Sequence, residues 1–382
     1  MNLRDAFNVV IADLEAGNSP ILKGDPGVGK TYFTKRIVAW ARKKHAGKRV
    51  GVAIQFMATQ TQIGTTGLPW KGEMNVTHQG VDHKYTITDP AIPRWYLATD
   101  CETGEVRPAN LFDVVVLILE EWGQGDADTK RANAELFLNL GTPPFFLPEQ
   151  SYVIACSNVS SRDGVTKEFD FVIGRQVLRN VEGSVQIWDE DFASKPYTWR
   201  GKQWEVTPFT RAWAQQHPEI FFEGKPEKQG PWCNPRSATS ADRFVQTMQA
   251  ANNGVIPVKE ASFVDGLAGY IGMPATTSYV GDLEFALNLP TYKEVVADPL
   301  NTPVPEKADM MMVMAYQMAG MCQKEDAGEV LQYIQRLRAK DMHITFVSSL
   351  LRRDYNMYQA PAVKAFVAKH QTLLSLIAGI NQ

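Results

Sequence analysis

The sequence lacks the features that would place it among cysteine-ligated metal proteins, secreted proteins or membrane-spanning proteins. Its four cysteines show no metal-ligand spacing, so we expect reduced thiols in a cytosolic compartment. No apolar run reaches the length of a membrane span, and Asp5 in an amphipathic N-terminal stretch argues against a signal peptide. The net charge of −3 gives no general attraction to nucleic acid or anionic membranes. The 382 residues suffice for two or more domains.

A complete phosphate-binding pattern, G-x-x-x-x-G-K-[ST], stands near the N-terminus. Its glycines allow backbone N–H groups to turn inward around a polyphosphate. Lys30 can reach the β- and γ-phosphates, and the Thr31 hydroxyl can ligate Mg²⁺. The pattern predicts a nucleoside triphosphate site, which is formed by Gly24, Asp25, Pro26, Gly27, Val28, Gly29, Lys30, Thr31 and Tyr32.

Hydrophobic patterning predicts an open parallel α/β sheet. Buried strands are expected at residues 19–23, 49–56, 114–119 and 151–156, and helices at 2–16, 32–44 and 130–140. Residues 57–110 are rich in Gly, Pro, Thr and aromatics, and they are expected to form an insertion with a hairpin near Tyr85–Leu97.

The remaining chain is expected to be mainly helical. A Pro-, Gly- and Lys-rich passage at Gly224–Pro235 marks a boundary, and Pro299–Pro305 marks another. We therefore predict an α/β nucleotide-binding core at 1–225, a helical lid at 226–299 and a C-terminal helical extension at 300–382, with its last helical block over Glu306–Ile380.

Polar residues end two of the predicted buried strands. Glu120 and Glu121 follow the strand at 114–119, where one acid could hold the Mg²⁺ water shell and the next could polarise an attacking water. Asn158 follows the strand at 151–156 and could hold that water through its side chain. The simpler alternatives are a solvated strand end for the acids and a turn-forming residue for Asn158.

These motifs, in this order, resemble those of an AAA+ ATPase of the MoxR type. The resemblance is carried by GDPGVGKT, LILEEWG, VIACSN, Gly174-Arg175 and Asn234-Pro-Arg236-Ser. Further passages resemble a subgroup seen in bacteria and phages, namely GTTGLP at 64–69, TDPAIPRW at 88–95 and PWCNPR at 231–236. The resemblance covers residues 1–290 and, more loosely, the C-terminal helices. It implies an AAA+ parallel-sheet core with a helical lid, and ATP with Mg²⁺ as cofactors.

The resemblance also implies roles for single residues. Lys30 and Thr31 would bind phosphate and Mg²⁺, Glu121 would be the general base, and Asn158 would be the first sensor. The family usually has Asp where this chain has Glu120. The longer side chain moves the carboxylate outward by about one carbon–carbon bond, enough to disturb a water-mediated Mg²⁺ contact. Since Glu121 is present, turnover that is retained but slow is the expectation.

The resemblance also implies roles for three arginines. Arg175 resembles an arginine finger placed in a neighbour's active site, because it follows an expected helix and precedes an expected short strand at Val181–Ile187. Arg179, four residues on, could share or take that role. Arg236, at the start of the lid helix, resembles the second sensor. The alternatives are surface arginines for the first two and a capping or ion-pair arginine for Arg236.

We expect a homo-oligomeric ring, a hexamer, that remodels or matures a partner protein, as MoxR-type ATPases often do with partners carrying a von Willebrand A-like domain. The expected location is the cytoplasm of a bacterium, or of the host cell for a phage protein.

The insertion, with Trp70, Trp95 and Tyr96, is expected to face the pore or the partner, the alternative being an aromatic-packed surface hairpin. Two other functions stay open. One is a nucleotide-gated scaffold with little turnover, and the other is a DNA-acting loader, which the acidic charge disfavours.

Overall fold

The computed structural model describes residues 1–159, 164–168, 170–222, 230–370, 373 and 375. The chain divides into two compact units, Met1–Gly183 and Ser184–Gln382. The boundary predicted at residues 225 and 226 lies inside the second unit, and part of the Gly224–Pro235 passage lies outside the described residues. Within the described residues, no helix is long and apolar enough to cross a bilayer.

The first unit contains eleven strands and six α-helices among its described residues. The strands are β1 (Pro20–Lys23), β2 (Val50–Phe56), β3 (Pro69–His78), β4 (Val81–Pro90), β5 (Leu97–Asp100), β6 (Val106–Pro108), β7 (Val114–Glu120), β8 (Gly141–Thr142), β9 (Phe145–Phe146), β10 (Tyr152–Ser157) and β11 (Val177–Asn180). The helices are α1 (Leu3–Glu15), α2 (Lys30–Lys44), α3 (Gln62–Thr66), α4 (Ala127–Asn133), α5 (Leu136–Asn139) and α6 (Asp170–Ile173).

A seven-stranded sheet in the order β11-β1-β10-β7-β2-β5-β6 forms the framework of this unit. The first five strands of that order are parallel, and β5 and β6 are antiparallel additions at one edge. Every residue of β7 is buried, as its unbroken aliphatic run predicts for a strand covered on both faces. Because β1, β10 and β7 are parallel neighbours, the residues that follow them meet at one edge of the sheet. The predicted α/β class is therefore confirmed.

Several local predictions are wrong. The hairpin consists of β3 and β4, with its turn at Gln79 and Gly80, rather than lying near Tyr85–Leu97. Both turn residues have positive φ (53° and 79°), which matches the right-handed twist of paired strands. The strand predicted at Val181–Ile187 is absent. A helix begins after Ser184 instead, because the Ser184 hydroxyl accepts a hydrogen bond from the N–H of Ile187.

The segment predicted as an insertion divides into two parts. The hairpin at residues 69–90 lies outside the main sheet, whereas β5 and β6 belong to it. Trp95 and Tyr96 are buried in the core beneath the sheet, so the expectation that they face a pore or partner is wrong. The Trp95 indole N–H donates to the Thr65 carbonyl oxygen at 2.8 Å, which satisfies its polar atom on burial.

The second unit is mainly helical, and the helices predicted beyond residue 226 lie in it. Its elements are α7 (Val185–Trp188), β12 (Tyr197–Trp199), β13 (Lys202–Trp204), α8 (Pro208–Gln216), α9 (Pro218–Phe221), α10 (Pro235–Ala251), α11 (Ala261–Ile271), α12 (Met273–Ala286), α13 (Tyr292–Ala297), α14 (Ala308–Met321), α15 (Ala327–Ile334), α16 (Lys340–Arg353) and α17 (Pro361–Val367). Trp188, Trp213 and Phe221 share one core with Phe263 and Tyr279. Residues 184–222 thus pack with the helices that follow them. The end of the block predicted over Glu306–Ile380 lies outside the described residues.

Candidate nucleotide site

The loop between β1 and α2 has a backbone that requires glycine. A Cβ atom on Gly24 would lie 2.6 Å from the Val181 carbonyl oxygen and 2.7 Å from its Cγ2 atom. Gly27 and Gly29 have φ angles of 84° and 106°, in the region that side chains other than glycine's rarely adopt. The three glycines of the motif therefore allow a close approach and two left-handed residues, which is a local reason for the sequence pattern.

The N-terminus of α2 is suited to an anion. Gly29 precedes the helix without a side-chain cap, and the first turn, Lys30 to Tyr32, contains no acidic residue. The first-turn N–H groups of a helix have no intrahelical partner and carry partial positive charge. Thr31 and Tyr32 are exposed at this turn, as is Asp25 in the loop. The geometry is that of a phosphate site at a helix N-terminus.

The Lys30 ammonium joins the loop to a strand far away in the sequence. Its Nζ atom donates to the carbonyl oxygens of Gly24 and Asp25 at 2.7 and 2.9 Å, and to Asn158 Oδ1 at 3.0 Å. Asn158 directly follows β10, which pairs with β1 in parallel. The structure thus brings together the lysine and the amide that the sequence places 128 residues apart.

The two acids at the end of β7 have different surroundings. Glu120 is paired with Phe56 of β2 and is only 8% exposed. Glu121 is exposed and has a left-handed backbone, with φ 57° and ψ 35°. A left-handed residue other than glycine costs about 1 kcal/mol and turns the chain sharply out of the strand. The strand therefore ends with one buried and one exposed carboxylate at the edge that also holds Asn158.

The pKa of the buried Cys156 thiol depends on the charges near this edge of the sheet. Burial raises the pKa of Cys156 well above its ordinary value. The Glu120 carboxylate raises this pKa further, whereas the Lys30 ammonium lowers it. Both charges therefore act on a residue near the end of β10, the strand that lies between β1 and β7 in the sheet.

The two candidate finger arginines differ in how they are held. Arg175 follows α6; its guanidinium donates to the Phe171 carbonyl oxygen at 2.8 Å and lies 3.4 Å from Glu135. Arg179, on β11, donates to both carboxylate oxygens of Asp13, from Nε at 2.7 Å and from NH2 at 2.6 Å. Such a bidentate pair holds its arginine in one orientation. Arg179 therefore fastens β11 to α1 within its own chain.

Arg236 belongs to the second unit and is exposed in the first turn of α10. Asn234 Oδ1 accepts from the N–H groups of Arg236 and Ser237, both at 3.0 Å, and Ser237 completes a capping box. The sequence-predicted start of this helix is present. The role of Arg236 as second sensor stays a prediction.

The β3–β4 hairpin is an exposed ribbon with two different faces. Residues that pair directly across the two strands have their side chains on the same face. Trp70 pairs with Asp89, and Met74 pairs with Tyr85. Trp70 is 69% exposed. One face carries the apolar and aromatic side chains of Trp70, Met74, Val76, Val81, Tyr85 and Ile87, together with His78, His83 and Asp89. The opposite face is polar, with Lys71, Glu73, Asn75, Thr77, Asp82, Lys84, Thr86 and Thr88. The ribbon is therefore amphipathic, although isolated two-stranded ribbons are only marginally stable in water.

Sequence reasoning missed Gln55, which pairs with Leu119 immediately before the two acids. Its side chain is 1% exposed, and neither its amide oxygen nor its amide nitrogen has a hydrogen-bond partner within the described residues. An unsatisfied buried amide costs roughly 1–3 kcal/mol, so it is uncommon without a reason. The signal in the sequence was a polar residue at a buried register position of an otherwise apolar strand.

Comparison with known proteins gives distant similarities. No family model matches the chain, and no curated protein matches it. The chain is similar to NtrX from Brucella abortus in complex with ATP, at 11% identity and a TM-score of 0.35, covering 91% of this chain and 66% of that one. It is also similar to a Drosophila ORC structure bound to poly(dA/dT) DNA and Cdc6, at 10% identity and a TM-score of 0.31, covering 99% of this chain and 64% of that one. The chain thus spans about two thirds of the length of these proteins.

The sheet order and the loop geometry define the class of the protein on their own. It is an α/β protein in which a glycine-rich loop, matching the phosphate-binding pattern, joins a central parallel strand to a helix, and helices make up most of the following chain. The similarities to solved structures assign neither a substrate nor a partner to the chain.

Proposed function

We propose that this chain is an AAA+ ATPase of the MoxR type, which binds ATP with Mg²⁺ and hydrolyses ATP. One observation carries the proposal: Lys30 Nζ lies 3.0 Å from Asn158 Oδ1, at the sheet edge where β7 ends in Glu120 and Glu121. A phosphate-binding cation, a water-positioning amide and two carboxylates are the groups that phosphoryl transfer to water requires.

Each group has a distinct role in this proposal. Lys30 and the first-turn amides of α2 bind the phosphates, and Thr31 offers a hydroxyl to Mg²⁺, with Glu120 acting through a water. These are hard oxygen donors, which suit Mg²⁺. When bound, the ion neutralises charge that develops on the phosphate oxygens. Glu121, exposed beyond the strand, takes a proton from the attacking water, and Asn158 holds that water in line.

We further propose that the active site is completed by a neighbouring copy in a hexameric ring. The supporting observation is that Arg179 is held by a bidentate ion pair with Asp13, whereas Arg175 has a longer ion-pair contact with Glu135, at 3.4 Å, besides its hydrogen bond to the Phe171 carbonyl oxygen. Arg175 can exchange that contact for a phosphate at lower cost, so we assign it as the finger. A donated guanidinium stabilises charge on the transferring phosphoryl group.

The work of the ring, in this proposal, is to remodel a partner protein, for which one carrying a von Willebrand A-like domain is the expected type. The exposed apolar face of the β3–β4 ribbon supports this, with Trp70 as its most exposed aromatic residue. Burying that face against a partner would remove apolar surface from water, at about 25 cal/mol per Å². Trp95 and Tyr96 take no part, since they lie in the core.

Steady-state ATP hydrolysis tests the proposed activity. Lys30→Ala removes a charged phosphate contact and should abolish turnover, whereas the exposed Lys35→Ala in the same helix should leave turnover unchanged. Hydrolysis by Lys30→Ala at the wild-type rate would contradict the proposal. Stimulation by added DNA would favour a DNA-acting loader, and nucleotide binding without measurable turnover would favour a scaffold.

Mixing two inactive variants tests the shared site. Arg175→Ala and Lys30→Ala should each be nearly inactive, yet their mixture should recover part of the activity. Some interfaces then pair an intact loop with an intact donated arginine. A finger acting within its own subunit cannot be rescued in this way. The same mixture made with Arg179→Ala shows whether the other arginine contributes, and failure of both in co-assembled rings would contradict the shared site.

A further inference from the structure

Lys130 is a lysine whose side chain is completely buried, at 0% exposure. Its Nζ atom donates to the Gly123 carbonyl oxygen at 3.0 Å, to the Thr166 carbonyl oxygen at 3.1 Å and to Thr166 Oγ1 at 2.8 Å. An ammonium has three N–H donors, so all of them are used. The Glu168 carboxylate lies 3.8 Å away, and burial lowers the pKa of Lys130. Charged groups are buried this fully only when they are hydrogen-bonded or paired.

The oxygens that Lys130 binds belong to two separate segments. Gly123 lies in the short 3₁₀ turn Trp122–Gln124, which directly follows Glu121. Thr166 lies in the described segment 164–168, beyond Asn158 along the chain. The two segments also bind each other directly: the Thr166 N–H donates to the Gly123 carbonyl oxygen at 2.8 Å. Lys130 therefore holds together the turn after the candidate base and the segment that follows the candidate sensor.

The turn also rests against the sensor-bearing strand. A Cβ atom on Gly123 would lie 2.4 Å from Ser157 Oγ, so only glycine permits this approach. The Thr166 hydroxyl donates to the Gly125 carbonyl oxygen at 2.6 Å. The turn is thus fixed on one side by the end of β10 and on the other by Thr166 and Lys130.

The conformation of Glu121 depends on this turn. Its φ angle of 57° is unfavourable for a residue other than glycine, and such a conformation persists only where the surroundings impose it. The Glu121 carbonyl oxygen accepts from the Gln124 N–H at 2.9 Å, so the turn closes on the left-handed residue itself. If the turn relaxes, the Glu121 backbone can leave the left-handed region, and its carboxylate then changes direction.

We propose that Lys130 is a positioning residue for Glu121, which sets the direction of its carboxylate by tying the turn at Trp122–Gln124 to the segment at 164–168. The proposal rests on the proposed ATPase function, in which Glu121 is the general base. A misplaced base loses turnover without losing the phosphate loop. A shift of about 1 Å in a catalytic group can cost on the order of a hundredfold in rate.

The test is a double-mutant cycle with single-turnover hydrolysis and ATP affinity as its two measurements. Lys130→Met keeps the length of the side chain but removes its donors and charge. It should lower the rate about 10- to 100-fold and leave the dissociation constant for ATP within about twofold. In a Glu121→Gln background, the same change should alter the residual rate less than about twofold. A neighbouring exposed lysine supplies the matched control, since Lys167→Met should change neither quantity.

Thr166→Val provides a second variant, in case Lys130→Met does not fold. It removes only the hydroxyl between Lys130 and Gly125, and Thr166→Ser should restore the rate. Equal losses of rate in the wild-type and Glu121→Gln backgrounds would overturn the positioning role. So would a loss of ATP affinity that matches the loss of rate. The proposed function is tested separately, by ATP turnover in the unmodified protein and its loss in Lys30→Ala. If the unmodified protein shows no turnover, both the proposed function and this inference are contradicted.

Discussion

Replacing Arg179 by alanine should destabilise the first unit of the protein. Arg179 and Asp13 form a bidentate pair that joins β11 to α1, with side-chain exposures of 28% and 10%. Hydrogen bonds to charged groups contribute about 1.5–3 kcal/mol each in favourable cases. Screening at the partly exposed arginine reduces this value, while the Asp13 carboxylate left behind in a largely buried position adds a penalty.

We therefore expect Arg179→Ala to lower the free energy of unfolding by about 2 kcal/mol. For a unit of this size, the midpoint of thermal unfolding should fall by about 4–8 °C. The measurement is urea unfolding at neutral pH, with the slope against denaturant checked for change. Asp13→Ala should cost a similar amount, and the double variant should cost less than the sum of the two, because one pair is removed in both.

Arg175→Ala is the matched control, since it lies four residues away and has a single, longer ion-pair contact at 3.4 Å. Its cost should stay below about 1 kcal/mol, while its turnover falls. The reasoning would be refuted by the reverse pattern. If Arg179→Ala kept full stability and its lost activity returned in mixtures with Lys30→Ala, then Arg179 would leave Asp13 to act across an interface.

Two further predictions concern the base and the second unit. Glu121→Gln should keep ATP affinity while turnover falls about 100-fold or more, because the amide cannot take a proton from water; equal losses of binding and turnover would make Glu121 structural. Arg211→Met should lower the free energy of unfolding of the second unit by about 3–5 kcal/mol, because Asp189 would lose its buried ion-pair partner and keep the hydrogen bond from the Tyr316 hydroxyl, at 3.0 Å. Urea unfolding measures that loss, and a cost below about 1 kcal/mol would contradict it.

The predictions that depended on local chemistry were the reliable ones. The helix predicted at 32–44 is present as Lys30–Lys44, and the strand predicted at 114–119 is present as Val114–Glu120. These elements and the glycines of the phosphate loop follow from hydrophobic run length and backbone freedom. The parallel α/β class follows from strands that alternate with helices. Even the start of α10 was visible, because the Asn-Pro-x-Ser pattern at 234–237 forms its cap from residues adjacent in the chain.

Boundaries and exposures were less predictable. The Gln79-Gly80 turn is a weaker signal than Asn-Gly, so the hairpin was placed too far along the chain. Trp95 and Tyr96 were expected at the surface because they stand in a Gly- and Pro-rich segment. Both residues belong to a core cluster that also contains Ala98 of β5 and residues of the central strands, and the composition of a segment does not reveal such packing.

By itself, the sequence determined that a phosphate loop, two acids and an amide follow three strands, since each motif is contiguous. Only the tertiary structure decided which side chains these motifs meet. Asp13 holds Arg179 across 166 residues, and Thr166 receives Lys130 across 36. Such contacts arise when strands and turns far apart in the chain pack side by side. The hydrophobic periodicity and the motif spacing of the sequence do not predict them. The physical reason is that a buried charge takes its partner from three-dimensional packing, whereas a backbone turn takes its shape from its own residues.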